Sequence, residues 1–124
     1  MAEHRYERAE GVLTLPDGWL ARDYFGWRRE RERIEADTDL PIEVTTWLTA
    51  KRLGASWTCE QLPGLLDVTV DQLLAMQAND PLVLVGEWAG VIILNAIIRY
   101  RTPDPNSSGP PSERPSAKTS RQRN

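Results

Sequence analysis

Basic residues are missing from the middle of this chain: between Leu53 and Ile98 there is no lysine or arginine. Nucleic acid is held chiefly through its phosphates, so the central half of the chain is a poor electrostatic partner for it. Cysteine is nearly absent too. A lone Cys59 excludes an internal disulfide and any cysteine-based zinc site, and fits a reducing compartment. With no histidine beside it, Cys59 reads as a small, partly buried apolar residue rather than a nucleophile. His4 is the one histidine; it stands in a charged N-terminus and reads as solvent-facing. The stretch MAEHRYERAE has no apolar segment of the kind a secretory signal needs, so the expectation is a cytoplasmic protein. Neither a nucleophile with its base, a glycine-rich phosphate loop nor a metal-ligand cluster can be picked out. No enzymatic activity, cofactor or metal is therefore expected.

What the chain does have is one long apolar run, Leu82 to Tyr100 (LVLVGEWAGVIILNAIIRY), interrupted only by Glu87, Asn95 and Arg99. Asp80 and Pro81 precede it, a capping side chain followed by proline at the first helical position, where its missing N–H costs nothing. Arg99 and Arg101 suit the C-terminal pole of a helix, and Pro103 cannot continue one. At about 100° per residue, Glu87, Asn95 and Arg99 fall within one arc of about 120°. Leu82, Val85, Ala89, Ile92, Ile93, Ala96, Ile97 and Tyr100 lie opposite, which makes that side the core face.

The polar arc also carries Leu84, Val91 and Ile98, spaced by seven. Such a stripe suggests a second contact, with a partner protein or another copy of the chain. Three further readings stand beside it. The chain's own first helix could cover the stripe, since a helix that is apolar all round is often simply buried. The run is just long enough to cross a bilayer, against which Glu87 and Asn95 within it weigh. Glu87 itself is a titratable residue whose burial could raise its pKa, or a polar-arc residue paired with a neighbouring cation.

Five tryptophans, Trp19, Trp27, Trp47, Trp57 and Trp88, supply the large buried areas that help a domain of about 100 residues close over its core. Charge is divided: residues 1–100 hold ten Lys/Arg and sixteen Asp/Glu, whereas residues 101–124 hold five and two. We expect a flexible N-terminus over 1–11, a helical domain over 12–101 and a disordered, basic Pro/Ser-rich tail over 102–124. Within the domain, Val12 to Leu15 reads as an extended segment or small strand before the turn Pro16-Asp17-Gly18. It is too short to found a sheet.

Leu20, Tyr24, Trp27 and Ile34 follow helical spacing from about Leu20 to Ala36. The intervening RRERER reads as a solvated face with opposite charges in reach, Glu30 and Arg33 for example, rather than as a nucleic-acid patch of Arg28, Arg29, Arg31 and Arg33. Asp37-Thr38-Asp39 supplies capping residues for a second helix, marked by Leu40, Val44, Trp47, Leu48 and Leu53 and stopped at Gly54. Thr58 with Gln61, then Thr69 with Gln72, look like two capping boxes opening short helices. Together they resemble a helix-turn-helix, but Asp71, Gln72 and Gln77 would have to read DNA without one basic residue. The fold expected is all-α: a small bundle of four to five helices around the C-terminal apolar helix.

The order of these features is LTLPDG at 13–18, an aromatic and Arg-rich first helix WLARDYFGWRRERER, a second helix, a Trp-led LPGL segment from Trp57 to Leu65, and a final apolar helix with a polar tail. This layout resembles the small tail assembly chaperones of long-tailed bacteriophages and prophages. In that family a short, acidic, mostly helical protein binds the tape measure protein before the tail tube polymerises around it, and is absent from the finished particle. Many members carry a C-terminal extension made by ribosomal frameshifting, and the basic tail here departs from that pattern. The resemblance implies a helical client, the tape measure protein, and carries over no site residue; the surface expected to hold that client is Leu84, Val91 and Ile98 with Trp88, together with Tyr24 and Trp27. The resemblance adds a reason for the spare stripe. The other classes that fit are a structural virion subunit or homo-oligomeric adaptor, a small membrane protein and a DNA-binding regulator; neither membrane nor nucleic acid is the expected partner.

Overall fold

Leu13 and Leu15 are completely buried, while Val12, Thr14 and Pro16 around them are half exposed. This is the period-two pattern of a strand with one face on a core. In the computed structural model, which describes residues 3–102, that strand is the centre of a three-stranded antiparallel sheet. β2 (Val12–Pro16) pairs on one side with β1 (Glu3–Glu7) and on the other with β3 (Ser56–Thr58). The register sets His4 opposite Leu15 and Tyr6 opposite Leu13, so these two share the core-side face of the sheet; Tyr6 is half buried there, while His4 at its edge stays exposed, as do Glu3, Arg5 and Glu7. Arg8 and Gly11 exchange both backbone hydrogen bonds (2.9 and 3.3 Å), leaving Ala9-Glu10 as a two-residue turn.

The expectation of an all-α bundle is thus wrong, and within the N-terminal stretch 1–11, residues 3–7 form a strand. Among the described residues, four α-helices pack with a sheet whose middle strand is the very run judged too short to found one. A five-residue strand suffices here because it is paired along both edges and its two leucines reach the common core. The tail from residue 103 onward lies outside the described residues.

α1 (Ala21–Thr38) buries Trp27, Arg31 and Ile34, one stripe at helical spacing. It ends at Asp39, which takes the left-handed conformation (φ 60°) and donates its N–H to the Glu35 carbonyl. Asp37-Thr38-Asp39 therefore terminates the first helix instead of capping the second. α2 (Ile42–Leu48) is short and buries Val44, Thr45, Thr46 and Trp47 in succession; it is enclosed between α1 and the last helix. A 3-10 turn, Ala50–Leu53, follows and stops at Gly54.

The proposed capping box at Thr58 is not formed, because Thr58 belongs to β3. In its place the Cys59 sulfur accepts from the Trp57 indole (2.9 Å) and the Leu62 N–H (3.2 Å), organising the turn beyond the strand. The box at Thr69 and Gln72 is present and opens α3 (Val70–Leu74).

α4 (Pro81–Arg101) begins as its sequence dictates, with the Asp80 carboxylate accepting from the Leu82 N–H (2.9 Å) and Pro81 in the first turn. It buries Val85, Gly86, Ala89, Gly90, Ile93 and Ile97, and α2 is its main neighbour. Gly86 stands where a Cβ would collide with the Trp47 ring, so the two helices approach closely at that level. The Trp47 indole N–H donates to the Leu65 carbonyl (2.7 Å), fully buried, and so ties the helix pair to the chain beneath it.

Candidate functional site

α4 has three sides. One sets Gly86 and Gly90 against α2, at the Trp47 ring and the Glu43 carbonyl, with Ile93 and Ile97 buried on the same side further along. A second lies along the hairpin: Trp88 meets the Trp57 ring edge-on (centroids 6.4 Å apart) under the Arg8 guanidinium (5.2 Å), and Arg99 donates to the Tyr6 hydroxyl (3.2 Å). The third faces solvent. On it Leu84, Val91 and Ile98 are 51%, 45% and 60% exposed. Seven-residue spacing keeps them on one face with a drift of about 20° per step, and fourteen residues of helix make a stripe about 21 Å long. The chain's own first helix does not cover it.

Two polar residues share this face, Glu87 half buried and Asn95 exposed. The ion pairs among the described residues all lie elsewhere, and Glu87 has no cationic partner among those residues.

The other residues expected at a client surface separate. Trp88 is half buried against Trp57 and forms only the flank of the stripe. Trp27 is 2% exposed, a core residue under the Arg31 guanidinium (5.1 Å from its ring), and is out of reach of any partner. Tyr24 is half buried beneath the Arg101 guanidinium, 4.1 Å from its ring centre. Beside it Phe25, absent from the sequence-derived set, is 48% exposed with Arg101 6.0 Å from its ring. Phe25 falls off the helical spacing that marks Tyr24 and Trp27 as core, and in a surface helix that is the signal of an outward aromatic.

RRERER is in part the self-paired face expected. Arg28 donates to Glu32 (3.1 Å), which raises the pKa of the Arg28 guanidinium, and Arg33 donates to Glu30 (2.6 Å). Arg31 differs: it is buried, donates to Glu35 (2.6 Å), and the same Glu35 oxygen accepts from the Thr45 hydroxyl (2.8 Å). That cluster joins α1 to α2.

A cleft of about 210 Å³ opens between the hairpin and the end of α4, with His4, Tyr6, Asp17, Trp19, Arg99 and Tyr100 among its walls. Its polar groups bond to one another: His4 to Asp17 (2.9 Å), Arg99 to Tyr6, and the Tyr100 hydroxyl to the Trp19 carbonyl (3.2 Å). The cleft acts as a clip holding the hairpin to α4. At the hairpin tip Arg8 donates to Glu10 (2.9 Å), which holds the Glu10 carboxyl below its ordinary range. Among the described residues no group of three or more His, Cys, Asp or Glu is gathered as a metal site would require.

By length and composition α4 could cross a membrane (21 residues, mean hydropathy 2.0 over its most apolar window), although 39% of that window is buried within the fold. Comparison with protein-family models, curated proteins and solved structures finds no match.

Proposed function

We propose that this chain is a non-enzymatic assembly chaperone that holds a helical protein client against the Leu84, Val91 and Ile98 stripe of α4. The client suggested by the order of sequence features is a tape measure protein of a long-tailed phage, and the site of action is the host cytoplasm. The reading is carried by one observation: three branched aliphatic side chains at seven-residue spacing stand exposed on a helix whose other sides are already packed. Exposed apolar side chains gathered on one face mark interaction sites, and a client helix presents its own i, i+3, i+4 and i+7 residues to such a face.

Apolar masking is the whole mechanism. Burial contributes about 25 cal/mol per Å² of apolar surface, from which the loss of rigid-body and side-chain freedom is subtracted. A narrow stripe therefore retains a client and still releases it as assembly proceeds. Trp88 borders the stripe and adds contact without being free to rotate out.

The test is co-expression with the long coiled-coil protein encoded nearest to this chain, followed by affinity capture at moderate salt. Retention that is lost in Leu84→Asp plus Val91→Asp supports the reading. No retention, with the chain eluting alone as a discrete oligomer, replaces it with a structural subunit or adaptor, the second reading that the same stripe favours.

A further inference from the structure

We infer that a second copy of this chain covers the stripe when no client is bound, with the two α4 helices antiparallel about a two-fold axis at Val91. The positions on the exposed face are symmetric about that residue. Leu84 and Ile98 lie seven residues to either side, so in an antiparallel pair each Leu84 comes level with Ile98 of the second copy and Val91 meets itself. The polar residues obey the same symmetry. Glu87 and Asn95 lie four residues to either side of Val91, and the pairing sets the Glu87 carboxylate, which has no cationic partner among the described residues of its own chain, level with an amide that can donate to it. Trp88 and Leu94, both half buried, likewise come level with one another.

Charge selects this direction. A parallel pair would oppose Glu87 to Glu87 and align the two helix dipoles; the antiparallel pair separates the two carboxylates and sets the N-terminal pole of one helix beside the C-terminal pole of the other. The drift of the stripe, about 20° per seven residues, suits two helices crossing at the shallow left-handed angle of about 20°. Because an isologous contact uses one patch twice, the assembly closes at two copies. Self-association and client binding then compete for one surface. That last step alone rests on the client reading; the dimer does not.

The measurement is the mass of the full chain by sedimentation equilibrium from about 1 to 200 μM, a range spanning weak to moderate affinities, together with thiol cross-linking in a Cys59→Ser background. A dimer is expected. Val91→Asp, acting twice at the axis, is expected to raise the dissociation constant at least about a hundredfold. Asn95→Asp, which opposes two carboxylates, is expected to raise it at least about tenfold, with recovery when Glu87→Gln is added. Leu84→Cys chains mixed with Ile98→Cys chains should link to each other, and Leu84→Cys chains alone should not.

A monomer throughout the range, or efficient linking of Leu84→Cys to itself, overturns the inference. Capture of a client by a monomeric chain refutes the dimer and leaves the chaperone reading intact. A dimer that captures no client does the reverse.

Discussion

Gly90 of α4 lies against the backbone carbonyl of Glu43 in α2 with no space between them for a Cβ. Together with Gly86 on the Trp47 ring, one turn earlier, this contact fixes both how near α4 comes to α2 and how it is rotated. With Gly86 and Gly90 set against α2 and Ile93 and Ile97 buried on the same side, Leu84, Val91 and Ile98 across the helix point away from the core. The stripe is a consequence of where the glycines are.

Gly90→Ala should therefore destabilise the protein, although alanine is favoured over glycine in a helix by about 1 kcal/mol. The obstructing atoms are backbone, so the neighbour cannot rotate aside, and overpacking of this kind costs about 1–3 kcal/mol or more. Set against the helix gain, this leaves a net loss of about 1–2 kcal/mol, or roughly 4–16 °C in melting temperature for a domain of this size. Urea unfolding followed by tryptophan fluorescence measures it. A variant as stable as the parent would mean that α2 and α4 do not meet at Glu43.

Trp47→Phe removes the indole N–H that satisfies the buried Leu65 carbonyl while keeping much of the ring. Leaving a buried acceptor unpaired costs about 1–3 kcal/mol, and the smaller ring adds a cavity cost. The expected loss is about 2–4 kcal/mol with an unchanged far-ultraviolet circular dichroism spectrum. Trp19→Phe, which also frees a carbonyl, that of Leu53, should cost less because the contact is only partly buried.

The Arg31, Glu35 and Thr45 cluster gives an asymmetric prediction. Glu35→Ala strips the close partner from a buried guanidinium and leaves it only Glu32 at 3.8 Å; because Glu35 is 28% exposed water offsets part of the cost, and we expect a loss of about 1–3 kcal/mol. Arg31→Met keeps the volume and the packing on Trp27, removes the charge, and should come within about 1 kcal/mol of the parent. Equal losses in the two variants, measured by denaturant unfolding, would sink the claim that the unpaired charge is what costs.

The legible parts of this fold were those written in local chemistry. Asp80 and Pro81 marked the start of α4, Thr69 with Gln72 marked α3, and the seven-residue spacing of Leu84, Val91 and Ile98 marked a face that is indeed exposed. The sheet was written in no such terms. The core-side positions of β1 are His4 and Tyr6, polar-tipped residues that leave no apolar alternation, and its turn, Ala9-Glu10, has neither the glycine nor the asparagine that signals a tight hairpin. β3 is three residues long and pairs with a strand far upstream, a contact that no local window contains. Arg31 looked like every other arginine of RRERER until tertiary packing set it on Trp27. Trp27, expected at the client surface, lies in the core, as its helical spacing with Leu20, Tyr24 and Ile34 marks it.

α4 itself offers the sharpest check on orientation, since Val91 and Ile93 are neighbours on one helix with opposite surroundings. Ile93 is completely buried, so Ile93→Ala should cost about 2–5 kcal/mol through lost transfer energy and an unfilled cavity. Val91→Ser replaces an exposed side chain and should stay within about 0.5 kcal/mol of the parent. Leu84→Ser and Ile98→Ser should behave alike, and all three together should lower the binding of an apolar dye. These unfolding measurements belong at low protein concentration, because any association through the stripe adds stability by mass action. At high concentration the serine variants would then fall behind the parent, and the size of that divergence reports how strongly the stripe is covered. A large loss for Val91→Ser at low concentration would place Val91 inside the core and remove the surface on which both the client and the second copy depend.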